Sequence, residues 1–343
     1  MSGQDSAETR AYRLDTSGGL SSETGQTKVF ACNANRDLAE RIAVNLGLSL
    51  GSSLMTTFKD GEIRGRLEET VRNCDCYIIQ STSPPVNNHL MELLIMTDAM
   101  RRASARSITA VVPYFGYARQ DRKAKPREPI TAKLVANLMV SAGITRIITM
   151  DLHAQQIQGF FDIPVDHLVG TPILMDHYKE TFGDELSKMV IVSPDHGRIA
   201  NSREFAKSMN MQMAIIDKRR PVAGEAEVMN IIGEVRDKAV IIADDMIDSA
   251  GTIASAAKAL VENGGATEVY ACCTHAVLSG PAIERIQNGH IKELVVLDTV
   301  DLPMEKRIPK IKILSTSRMF AQGIYNIQKG IPLSSIMLGN RYM

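Results

Sequence analysis

The chain has 343 residues, more than one hydrophobic core usually organises, so about two domains are expected. Lys plus Arg and Asp plus Glu balance at 39 each, which excludes a global basic field for nucleic acid and leaves phosphate recognition to local clusters. Apolar residues at 44% and charged residues at 23% fit a globular chain, and no apolar run approaches the roughly 20 residues of a membrane helix, so a cytoplasmic protein with no membrane and no nucleic-acid partner is expected.

Residues 1–27 are rich in Ser, Gly, Thr and acidic groups and lack an apolar period. They read as a disordered N-terminal extension, because ordering them would cost entropy with no offsetting burial. From residue 28 onward, short β-branched or apolar runs alternate with helical patterns, at 28–32, 76–80, 108–113, 146–150, 189–193, 213–217, 239–243 and 269–274. Such alternation predicts an α/β protein of β-α-β units, its mainly parallel sheets flanked by helices. In the clearest unit, strand 239–243 leads into a helix with Ile253, Ala256, Ala257, Leu260 and Val261 on one face, and Gly264-Gly265 stops it before strand 269–273. Two domains of similar size are expected, 28–168 and 169–310, with a segment 311–343 packing back on them. The five cysteines, Cys32, Cys74, Cys76, Cys272 and Cys273, lack zinc-site spacing and predict free, mostly buried thiols.

In an open parallel sheet, ligands bind beyond the carboxyl ends of the strands, where loops feed helix N-termini. Asp244-Asp245-Met246-Ile247-Asp248-Ser249-Ala250-Gly251-Thr252 occupies such a place. Backbone N–H groups from Ser249 onward can cradle a phosphate, with Gly251 permitting close approach and Thr252 adding a hydroxyl. Asp244 and Asp245 come too early to touch that phosphate and suit two vicinal sugar hydroxyls, since an ionised carboxylate only accepts. Together these parts describe a ribose 5-phosphate cradle; the plainer alternative is a helix cap at Asp248 or Ser249 beside a solvated turn. No G-x-x-x-x-G-K-[ST] occurs, so a nucleotide cannot be held by a Walker-type loop. Lys218, Arg219 and Arg220 follow a strand ending at Asp217 and precede a Gly- and Pro-containing stretch, so they read as a mobile cationic loop able to close over phosphates.

The 244–252 pattern resembles the ribose-phosphate loop of type I phosphoribosyltransferases and of ribose-phosphate diphosphokinases. The stretch Thr149-Met150-Asp151-Leu152-His153-Ala154-Gln155-Gln156-Ile157-Gln158-Gly159-Phe160-Phe161-Asp162-Ile163-Pro164 closely resembles the signature of the diphosphokinases. Phe58-Lys59-Asp60-Gly61-Glu62, Pro113-Tyr114-Phe115-Gly116-Tyr117-Ala118-Arg119-Gln120-Asp121-Arg122-Lys123, Ser193-Pro194-Asp195 and Asp217-Lys218-Arg219-Arg220-Pro221 match the same family in the same order. The resemblance, of bacterial type, covers residues 28–328. It implies two tandem type I phosphoribosyltransferase-like domains, the first binding ATP and the second ribose 5-phosphate. The implied reaction moves the diphosphoryl group of MgATP to the anomeric hydroxyl, giving phosphoribosyl diphosphate and AMP.

By that resemblance, Phe58, Asp60, Gly61, Glu62, Arg119 and Gln120 contact ATP. Arg220, Asp244, Asp245, Asp248, Ser249, Ala250, Gly251 and Thr252 contact ribose 5-phosphate, and Lys218 and Arg220 are the catalytic cations. His153 and Asp195 help to hold magnesium, partly through water, and Asp195, His196, Gly197 and Arg198 form the turn that receives the diphosphate. A homo-oligomer of the hexamer type, association with a second synthetase isoform, and activation by inorganic phosphate around Arg72, Ser104, Arg127 and Ser315 are also implied.

Three departures stand against the family pattern. Arg198 replaces the second glycine of a D-x-G-G turn, where it either obstructs the diphosphate or offers it a bidentate contact. Asn201 replaces a basic residue, and 331–338 differs from the usual ending. Arg198 and the altered ending carry the alternative reading, a weakly active or non-catalytic regulatory paralogue. A nucleobase phosphoribosyltransferase would share 244–252 but would need neither the Lys218 and Arg220 loop nor the His153 stretch.

Overall fold

A computed structural model describes residues 21–22, 25–219 and 228–337, and the chain divides into two units. The first takes residues up to Thr149, Gln156–Leu168 and those from Ser317 on; the second takes Met150–Gln155 and Val169–Thr316.

The first unit opens with β1 (Ser21–Ser22), β2 (Gly25–Ala31), α1 (Arg36–Asn45), β3 (Ser53–Thr57), β4 (Ile63–Leu67), β5 (Asp75–Ile79), α2 (Val86–Arg102), β6 (Ser107–Val112), α3 (Thr131–Ala142), β7 (Arg146–Met150) and β8 (Val165–Leu168). Among the described residues its sheet runs β1-β2-β5-β6-β7-β8, with β2, β5, β6 and β7 parallel. Every residue of β5 is buried, the continuous run expected of a strand covered on both faces. Helix α1 starts at Asn35, whose side chain accepts from the Leu38 N–H at 3.1 Å, and it buries Leu38, Ala39, Ile42 and Ala43 along one stripe. Strands β3 and β4 form a separate antiparallel hairpin packed against α2.

The sheet begins inside the segment that composition leaves out of the fold. Gly25, Gln26 and buried Thr27 belong to β2, and Ser21–Ser22 pairs with its start. Backbone pairing, Thr27 with Asp75 and Ser21 with Gln26, recruits these polar residues without an apolar face. Residues 1–20 and 23–24 lie outside the described residues.

The second unit contains α4 (Thr171–Phe182), β9 (Val190–Ser193), α5 (Ile199–Ser208), β10 (Gln212–Arg219), β11 (Val228–Ile232), β12 (Ala239–Ile247), α6 (Gly251–Glu262), β13 (Glu268–Ala276), α7 (Ala282–Asn288), β14 (Ile291–Leu297) and β15 (Ile311–Leu314). Its sheet runs β11-β10-β9-β12-β13-β14-β15, parallel throughout except for β11. Ile253, Ala256, Ala257 and Leu260 of α6 pack on Val240, Ile242, Val269 and Ala271 of the sheet, while Val261 is only partly buried. Helix α6 ends at Glu262, and Gly265 turns the chain at φ 72°.

Strand β12 runs four residues past 243, because β13 continues beside it and pairs Asp244 with Cys273, Met246 with His275 and Ile247 with Ala276. The residues after 310 do not act as one piece. Strand β15 pairs with β14 in the second unit, while α8 (Ser317–Lys329) and α9 (Ser334–Met337) belong to the first, where the Asn45 amide donates to Ser317 Oγ at 3.1 Å.

All five cysteines are free and buried. Burial pushes the Cys76 and Cys272 thiols up to about 12. No helix among the described residues is long and apolar enough to cross a membrane.

Candidate active site

The second unit gathers most of the expected site residues at the end of β12. Asp244 and Asp245 sit on the strand itself, not in the loop beyond it, so the ladder to β13 fixes their backbone. The Asp245 N–H donates to Asp244 Oδ1 at 2.8 Å. Arg198 reaches both carboxylates, with Nη2 2.5 Å from Asp245 Oδ2 and Nε 3.4 Å from Asp244 Oδ1. His153 Nδ1 lies 2.9 Å from Asp245 Oδ2 and 2.7 Å from Arg198 Nη2. That nitrogen has an acceptor on one side and a donor on the other, so it either donates to Asp245 or accepts from Arg198.

The two carboxyl groups are driven in opposite directions. Burial, then the neighbouring Asp245 charge, push Asp244 well above the usual carboxylate range. Burial pushes Asp245 up as well, but hydrogen bonding to His153 and the Arg198 charge outweigh it and hold Asp245 below its ordinary value. Asp245 Oδ1 is buried and has no hydrogen-bond partner among the described residues.

Arg198 is aimed by the turn before α5. Asp195 caps the 3-10 turn His196–Arg198, its Oδ1 accepting the Arg198 N–H at 3.2 Å, and Ser193 Oγ donates to the Asp195 carbonyl at 2.8 Å. The side chains of this turn then diverge. His196 Nε2 lies 2.8 Å from Asp217 Oδ1 on β10, and Arg198 turns onto the aspartate pair with 12% of its side chain exposed. A small cavity of about 40 Å³ beside it is lined by Arg198, Asn201, Ser202, Asp244 and Asp245, and the buried Ser202 hydroxyl has no partner among the described residues.

The entrance of α6 differs from the simple cap that Asp248 or Ser249 could have made. No side chain caps the helix, and Ala250 holds the left-handed conformation at φ 56°, which a non-glycine residue adopts only at a cost of about 1–2 kcal/mol. The first-turn N–H groups therefore have no side-chain acceptor, the arrangement that suits an anion. Asp248 is instead hydrogen bonded to Ser279, whose N–H also donates to the Asp248 carbonyl at 3.0 Å, and Arg285 Nη1 donates to the Ser249 carbonyl at 2.8 Å. Gly251 opens the helix and Thr252 is exposed. Ser279 and Arg285 were not expected from the sequence, where they carry no motif.

Behind His153, the Asp151 carboxylate accepts from Thr274 Oγ1 at 2.5 Å and from the Gly170 N–H at 2.9 Å, and the Asp151 carbonyl faces His275 Nε2 at 3.1 Å. Burial lowers the His275 pKa, which favours a neutral ring. This buried network anchors the segment that carries His153.

The other expected residues lie in the first unit or near the β11 edge of the second sheet. Phe58, Asp60, Gly61 and Glu62 form the tip of the β3–β4 hairpin, closed by Phe58 N–H to the Glu62 carbonyl at 2.7 Å and by Gly61 at φ 98°. Phe58 is half exposed, with the Arg64 guanidinium 5.9 Å from its ring centre. Arg119 and Gln120 are exposed after β6, and Gln120 is tied to the start of α3 by Thr131 Oγ1 at 2.5 Å and the Ala132 N–H at 3.2 Å. Gly116 shapes this turn, since a Cβ there would lie 2.5 Å from the Thr82 carbonyl oxygen. Lys218 and Arg219 are not yet in a loop: β11 pairs with them and extends β10 to Arg219. Arg220 lies outside the described residues. Arg72 Nη1 donates to Ser104 Oγ at 3.2 Å, while Arg127 has a left-handed backbone at φ 70°.

No group of three His, Cys, Asp or Glu able to cage a metal occurs among the described residues. Of the two residues expected to assist magnesium, His153 faces Asp245 Oδ2 and Arg198 Nη2 through Nδ1, and Asp195 Oδ1 accepts the Arg198 N–H.

Residues 27–143 match the family described as the N-terminal domain of ribose phosphate pyrophosphokinase, and residues 196–337 match the phosphoribosyl synthetase-associated domain. A ribose-phosphate pyrophosphokinase of Bacillus cereus is 59% identical over 300 residues, 88% of this chain and 93% of that protein. One from Caldanaerobacter subterraneus is 56% identical over 314 residues, 91% of this chain and 98% of its own. The crystal structure of phosphoribosylpyrophosphate synthetase from Mycobacterium smegmatis superposes with a TM-score of 0.84 at 40% identity, covering 89% of this chain and 99% of the other.

Proposed function

Because the chain belongs to the ribose-phosphate pyrophosphokinase family, we infer that it transfers the diphosphoryl group of ATP to the anomeric hydroxyl of ribose 5-phosphate, yielding phosphoribosyl diphosphate and AMP. The anomeric oxygen attacks the β-phosphorus, the bond from that phosphorus to the oxygen it shares with the α-phosphate breaks, and AMP departs with the electron pair. The hydroxyl proton passes to solvent. The observation that carries the sugar half of this reading is the carboxylate pair on β12, followed by the uncapped entrance of α6.

In this reading, Asp244 and Asp245 accept from the two ring hydroxyls, while N–H groups from Ser249 to Thr252 hold the 5-phosphate. Ser279 and Arg285 keep the intervening turn in place from behind. Lys218 and Arg220 supply positive charge to the migrating diphosphoryl group, in a transfer where charge neutralisation and alignment provide most of the acceleration. Phe58, Asp60, Gly61, Glu62, Arg119 and Gln120 receive the nucleotide. His153 and Asp195 would help to hold the magnesium that accompanies ATP, which would neutralise part of the phosphate charge. The same reading carries a cytoplasmic setting, a homo-oligomeric assembly and activation by inorganic phosphate.

Incubation with ATP, ribose 5-phosphate and magnesium, at several phosphate concentrations, should give AMP and phosphoribosyl diphosphate in equal amounts. No AMP at any phosphate concentration would overturn the assignment.

A further inference from the structure

A sugar that uses Asp244 and Asp245 meets carboxylates that already face Arg198 in this chain, through Asp244 Oδ1 and Asp245 Oδ2. The contact is not a loose surface pair. The Arg198 side chain is 12% exposed, Asp245 is 5% exposed, and the closest approach is 2.5 Å. Little solvent screens such a pair, and a guanidinium N–H donates to a carboxylate more strongly than a neutral hydroxyl does. A sugar hydroxyl arriving at Asp245 Oδ2 must therefore replace a stronger contact with a weaker one, and one arriving at Asp244 Oδ1 displaces a looser ion pair at 3.4 Å.

We propose that Arg198 is a built-in competitor of the ribose diol, occupying the Asp244 and Asp245 pair in the free protein and leaving it when the sugar binds. This rests on the ribose 5-phosphate reading given above. The local backbone suits a movable side chain. Arg198 closes a short 3-10 turn whose hydrogen bond to Asp195 uses the Arg198 main-chain N–H, so the guanidinium can rotate away without loss of that cap. The neighbouring cavity of about 40 Å³, with the unpartnered Ser202 hydroxyl on its wall, marks loose packing on that side. On release, His153 Nδ1 keeps its partner by donating to Asp245, so departure of the guanidinium strands neither group. Diol recognition is thus set by Arg198 as much as by the two carboxylates.

The test is calorimetric titration of ribose 5-phosphate, and separately of inorganic phosphate, into the wild-type chain, Arg198→Gly and Arg198→Lys, with melting curves to establish folding. Loss of one charge-assisted competitor should tighten ribose 5-phosphate binding about 10- to 100-fold in Arg198→Gly. Lysine keeps one point charge in place of the fork and should fall between the two. Inorganic phosphate, which carries no diol to compete with Arg198, should bind all three alike. Equal ribose 5-phosphate affinity in wild type and both variants would overturn the competitor while leaving the sugar site intact, and so would a parallel gain in phosphate affinity. Failure of ribose 5-phosphate to bind any of the three would remove the sugar site itself, and the competitor with it. Should Arg198→Gly not fold, the wild type against Arg198→Lys decides the same question.

Discussion

Replacing Asp244 and Asp245 one at a time by asparagine should have opposite effects on stability. Asp245→Asn removes the carboxylate 2.5 Å from Arg198 and 2.9 Å from His153, and leaves a guanidinium that is 12% exposed with Asp244 at 3.4 Å as its remaining carboxylate. Removing one partner of a buried ion pair costs about 3–5 kcal/mol, and the remaining carboxylate places this case near about 3 kcal/mol. At about 2–4 °C per kcal/mol for a unit of this size, the melting temperature should fall by roughly 6–12 °C. Asp244→Asn keeps an oxygen for the Asp245 N–H and removes a carboxyl whose charged form burial and Asp245 disfavour, so it should lie within about 1 kcal/mol of wild type, on the stabilising side.

The pH dependence separates the two further. Asp245 has a lowered folded pKa, so its contribution is present above the unfolded carboxylate value of about 3.9 and is lost as pH falls through the folded value. The deficit of Asp245→Asn should therefore close in acid. Asp244 has a raised folded pKa, so wild type loses ground to Asp244→Asn as pH climbs above about 3.9, until the folded value is passed. Thermal melts of the ligand-free chains from pH 3 to 8 read both. Equal losses in the two variants at pH 7.5 would refute the opposed roles.

If its charge serves the migrating group and not sugar binding, as proposed, Lys218→Ala should lower kcat by about 10²–10³ with a small change in KM for ribose 5-phosphate; steady-state AMP release measures this. Gly116→Ala drives a Cβ to 2.5 Å from the Thr82 carbonyl and 3.1 Å from Val86, so it should cost about 1–3 kcal/mol in a denaturant titration and raise KM for ATP through the Arg119 and Gln120 turn. The five buried thiols should resist an aromatic disulfide reagent in the native chain and all react in denaturant, and fast native labelling of any of them would contradict their burial.

The eight apolar runs all correspond to strands, because each lies under helices and is written in β-branched and apolar residues. The β3–β4 hairpin escaped for the opposite reason: none of its residues is fully buried, and only Ile63 and Leu67 mark the covered face of β4. Strand β11 escaped because it reverses against an edge, and that same pairing carries Lys218 and Arg219 into the sheet. At the site, Asp244, Asp245 and the α6 entrance were legible as a motif. Their placement on a strand was not, since it depends on how far β13 runs alongside. Ala250 at positive φ had no glycine to announce it. For Arg198 the sequence left two directions open, and only the turn capped by Asp195 decides that the guanidinium faces the aspartates.

The return of the chain to its first unit has a consequence for synthesis on the ribosome. Helix α8 packs on α1, and Asn45 and Ser317, hydrogen-bonded partners, are 272 positions apart. Nascent α1 thus emerges with an apolar surface whose cover is encoded some 272 codons downstream, while every described strand of the second sheet has been translated before α8 appears. The second unit can close vectorially as it leaves the exit tunnel; the first must wait with an uncovered helix, and is the part that would draw a holding chaperone.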